Sequence, residues 1–99
     1  MIFVLTKVFP PEEKFGLASQ MTRCAVSIPS IIAEGCGRKS NKEFYQFLNV
    51  ALGSSFELET QVIIAKEFNY ITDDKSETIC SIIIETQKMI AGLQKSLNT

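Results

Sequence analysis

From Leu17 to Ile32 the apolar side chains recur with the spacing of a single helical stripe: Leu17, Met21, Cys24, Ala25, Ile28 and Ile32. Steps of three and four keep such residues on one side of a 3.6-residue turn, so the stretch predicts a helix over about 12–35. Pro11, Glu12 and Glu13 make a good opening for it. Proline is tolerated in the first turn, and carboxylates there favour the positive end of the helix dipole. Pro29 removes the hydrogen bond to the Ala25 carbonyl and is expected to kink the helix. Gly35-Cys36-Gly37 is expected to close it, because glycine readily takes the left-handed conformation that ends helices.

The next helix, over about 41–69, opens on Ser40-Asn41-Lys42-Glu43, a capping box. Phe44, Phe47, Leu48, Ala51, Leu52, Leu58, Val62 and Ala65 form its main stripe, but Val50, Phe56, Ile63, Ile64 and Phe68 spill beyond it. A helix apolar on more than one side is buried by more than its own domain, or lies centrally. Ala51, Gly53, Ser54 and Ser55 add a small-residue patch that would let another helix come close. A last helix, about 74–97, carries Ile79, Ile82, Ile83, Thr86, Ile90, Leu93 and Leu97 in heptad-like order, with Met89 beside them. Asp74 with Glu77 has capping-box spacing, and Thr72 or Asp73 could cap instead. At the other end MIFVLTKVF, residues 1–9, reads as the closing turns of a short helix stopped by Pro10 and Pro11. Short connections make successive helices antiparallel neighbours. The expected fold is all-α, an antiparallel up-down four-helix bundle with a shortened first helix, in one domain over 1–99.

Composition narrows the class. The 99 residues are 45% hydrophobic and 21% charged, which suits a globular domain rather than a disordered chain. No stretch approaches the roughly 18 apolar residues of a membrane span, and the apolar N-terminus has neither the basic flank nor the cleavage site of a signal peptide. A cytoplasmic location is therefore expected. Cys24, Cys36 and Cys80 are odd in number, far apart and accompanied by no histidine, so no zinc site and no other metal or cofactor is expected. Cys24 and Cys80 read as small hydrophobes on helical faces, and Cys36, in the turn, as the exposed thiol.

With a net charge of −1 the chain lacks the basic excess of a protein held to nucleic acid by charge. Its one basic cluster is Arg38-Lys39-x-x-Lys42, and the antiparallel order places Lys95 at the same end. Dipole complementation and solubility explain these residues; an anion or nucleic-acid contact, helped by free N–H groups at a helix start, is the sharper reading. The first long helix also has a polar stripe that includes Arg23, Ser27, Glu34 and Arg38. It reads either as a solvated face, with Glu34 and Arg38 paired four apart, or as a polar network at a subunit contact in which Arg23 would meet Glu57.

Catalytic chemistry is not visible. There is no histidine to shuttle protons near neutral pH, and Glu57 and Glu59, two apart on a helix, face different ways. Gly35-x-Gly37 lacks the preceding strand of a nucleotide-binding loop. No catalytic residue is assigned, and an enzyme is not expected.

Several short motifs, read together, are specific. They are the Leu5-Thr6-x-x-Phe9-Pro10 opening, Gly16-Leu17-x-x-Gln20, Arg23, Ser27-Ile28-Pro29, Ala33-Glu34-Gly35-x-Gly37-Arg38 and Ala51-x-Gly53-Ser54. Through them the chain, from about Leu5 to Leu97, resembles the four-helix-bundle proteins of the 23S ribosomal RNA intervening-sequence family. That resemblance implies a compact bundle, ring-shaped homopentamers and no established reaction. Related accessory variability determinant proteins of diversity-generating retroelements bind nucleic acid, but they are strongly basic, unlike this chain. Family members usually carry Asn where Ile31 stands here, and a longer first helix than the nine residues before Pro10 allow. The resulting expectation is a non-enzymatic, self-assembling helical scaffold or binding protein. The alternative is a nucleic-acid-binding accessory factor that uses the basic end.

Overall fold

The computed structural model describes residues 16–97. Among these residues there are three helices and no strand: α1 (Leu17–Cys36), α2 (Asn41–Glu67) and α3 (Asp73–Ser96). The all-α class holds, but the four-helix bundle is corrected to three helices. The helix expected over 1–9 and the opening at Pro11, Glu12 and Glu13 lie outside the described residues. The described packing involves these three helices alone. Both α1 and α3 pack on α2, yet among the described residues they come nowhere within 8 Å of each other between Cα atoms. Among the described residues α2 is thus shared by both packing pairs, and the arrangement is an open row of three helices with α2 in the middle.

The up-down order is as expected. Gly35 at the end of α1 meets Phe44 and Phe47 at the start of α2, and Gln94 late in α3 reaches back to Tyr45 and Asn49. The longest dimension, 44 Å, is set by α2, whose 27 residues span about 40 Å at 1.5 Å each. Met21, Leu48, Ala51, Val62 and Ala65 are fully buried, with Ile79, Ile83 and Ile90 closing the α3 side.

Local chemistry sets the helix ends. The Ser40 hydroxyl accepts from the Glu43 amide at 3.1 Å, the first half of the capping box. Thr72 caps α3, accepting from the Lys75 amide at 3.2 Å. At the end of α2, Asn69 takes φ 61°, the Tyr70 amide donates to the Ala65 carbonyl and the Asn69 amide to that of Lys66. This is a Schellman closure with asparagine in the left-handed position. α1 stops where Gly35-Cys36-Gly37 is expected to close it, with Gly37 as the C-cap, but Gly37 has φ −81° and no described glycine takes the left-handed conformation; Gly35 serves a second purpose. Gly35 is buried, and a Cβ there would fall 2.7 Å from Phe47 Cβ and 2.9 Å from Phe44 Cδ1. It is a close-approach residue that lets α1 descend onto α2. Pro29 sits within one uninterrupted helix, on its exposed side.

Candidate functional site

Two regions stand out: the space between α1 and α3, and the end that carries the α1–α2 turn. Because the outer helices do not meet, a groove of about 360 Å³ opens between them. Ala25, Ile28, Pro29 and Ile32 form one wall, Ile79, Ile82 and Ile83 the other, and Leu58 of α2 lies at its floor. Two hydroxyls also line it, but both protons are committed to backbone carbonyls, Ser55 to Leu52 at 2.6 Å and Thr86 to Ile82 at 3.0 Å. The groove therefore offers aliphatic surface and little else.

At the basic end, Arg38, Lys39, Lys42 and Lys95 are all exposed. Arg38 is already engaged. Its guanidinium lies 4.7 Å from the centroid of the Phe47 ring, and one of its nitrogens is 3.5 Å from Glu34 Oε1. Stacking over an aromatic face and pairing with a carboxylate both satisfy the cation, which lowers what it can offer an incoming anion.

The polar stripe of α1 does not gather into one network within the chain. The Ser27 hydroxyl donates to the Cys24 carbonyl of its own helix at 2.9 Å, and Glu34 pairs with Arg38 as its four-residue spacing implies. Arg23 and Glu57 are both exposed, and among the described residues the ion pairs include none between them. They do share a neighbour, the buried Cys24. Burial pushes its thiol above the ordinary value, the Glu57 carboxylate adds to the rise, and Gln61 and Arg23 act against it. Gln61 Oε1, buried beside this thiol, has no hydrogen-bond partner. Cys80 is likewise raised, chiefly by burial, while Cys36 is exposed.

The polar contacts that tie α3 to α2 went unread in the sequence. Gln94 Nε2 donates to Asn49 Oδ1 at 2.7 Å and to the Tyr45 carbonyl at 3.4 Å, and Gln87 Nε2 donates to Glu59 Oε1 at 2.9 Å. The signal was available. Ile83, Gln87, Ile90, Gln94 and Leu97 alternate in steps of four and three, so both glutamines sit on the inner line of α3. A second line, Ile82, Thr86, Met89 and Leu93, runs beside it with the same alternation. There Ile82 is 48% exposed and Met89 62%.

Among the described residues no group of three or more His, Cys, Asp or Glu is placed to hold a metal ion, and no helix is long and apolar enough to cross a membrane.

The family described as "23S rRNA-intervening sequence protein" matches residues 1–92. The chain belongs to that family. Among solved structures it is similar to a protein of unknown function from the S23 ribosomal protein family of Bacteroides thetaiotaomicron VPI-5482. The two are 29% identical with a TM-score of 0.87, over 95% of this chain and 85% of the other. No curated protein matches. Ile31 is half-buried and packs against the core.

Proposed function

We propose that this intervening-sequence family member is a non-enzymatic helical scaffold that assembles with copies of itself, as a homopentamer, in the cytoplasm. One observation carries the reading: large apolar side chains left outside the chain's own core. Val50, Phe56, Ile63 and Ile64 of α2 and Phe68 at its C-cap are 38–63% exposed, and Met89 of α3 is 62% exposed. The same five residues overflow the main stripe in the sequence, and they stand outside the core formed by the described residues. Apolar surface of this kind gains about 25 cal/mol for each Å² removed from water, which favours association. Pentamer number rests on the resemblance. The cytoplasmic assignment draws support from three free cysteines, which suit a reducing compartment.

Light scattering on a size-exclusion column, across a hundredfold dilution, tests the assembly. A mass that is a multiple of 11.0 kDa is expected, falling when Met89→Glu and Ile82→Lys are introduced together. A mass of 11.0 kDa at every concentration would overturn it. The nucleic-acid reading has less behind it, since Arg38 is spent on Phe47 and Glu34 and the chain carries a net −1.

A further inference from the structure

We draw no further inference here: the strongest candidate, the aliphatic groove between α1 and α3 with Leu58 at its floor, is an unpartnered apolar face, and nothing in the structure shows what covers it.

Discussion

Gly35 lies so close to Phe47 that a methyl group added to the glycine would come within 2.7 Å of the Phe47 Cβ. The obstructing atom is fixed to the backbone of α2, so a rotamer change cannot move it away, and the helices themselves must separate. Gly35→Ala should therefore destabilise the fold by about 1–3 kcal/mol, the usual cost of overpacking. Gly92, with nothing within 4 Å of its Cβ position, is the control. There Gly92→Ala should stabilise by about 1 kcal/mol through helix propensity alone. Urea denaturation of both variants checks the pair. Equal effects would mean that the close approach of α1 to α2 is not what Gly35 serves.

Thiol chemistry should sort by position. Cys36 is exposed, whereas Cys24 and Cys80 are held above the ordinary thiol value of 9.0 by burial. Mass spectrometry during iodoacetamide labelling of the native protein should find Cys36 modified first. The same shifts bear on stability. A thiol whose pKa is raised on folding contributes stability that is fully present below the ordinary value and is lost as pH climbs from there to the raised one. The melting temperature should thus fall above pH 9.0 by more in the parent than in a Cys24→Ala, Cys80→Ala variant. Native labelling of Cys24 as fast as Cys36 would contradict the buried placement.

The basic end should hold nucleic acid poorly. Each phosphate contact contributes a slope of roughly −0.9 to the log–log dependence of affinity on salt for duplex DNA. A gel-shift series over salt should give little binding and no steep slope, unchanged when Arg38, Lys39 and Lys42 all become Ala. A steep slope abolished by those three substitutions would instead favour the accessory-factor reading.

Helix chemistry was legible wherever the signal was local. The Ser40 cap, Thr72 as one of three candidate caps, the Glu34–Arg38 pair and the overflow of apolar residues on α2 are each set by neighbours three or four positions away. What depends on partners distant in the chain was read less well. The stop at Gly35-Cys36-Gly37 was legible, but the close approach of Gly35 to Phe47 was not, because it depends on a residue of the facing helix. Asn69, not glycine, supplies the left-handed turn, and α2 ends two residues sooner than expected. The heptad of α3 was read as one stripe, although its two parallel lines have different environments, one against α2 and one outside. The count of four helices leaned on residues 1–9, which lie outside the described residues.

Because α1 and α3 touch α2 and not each other, the described fold has the logic of a chain with a middle link. Damage on one flank should pass unnoticed by the other. Truncating Met21 in α1 and Ile90 in α3 should give losses that sum to within about 0.5 kcal/mol in the double variant. Replacing Val62 of α2 should weaken amide protection along both flanks at once. The stability of the molecule is held in common at its centre and separately at its sides.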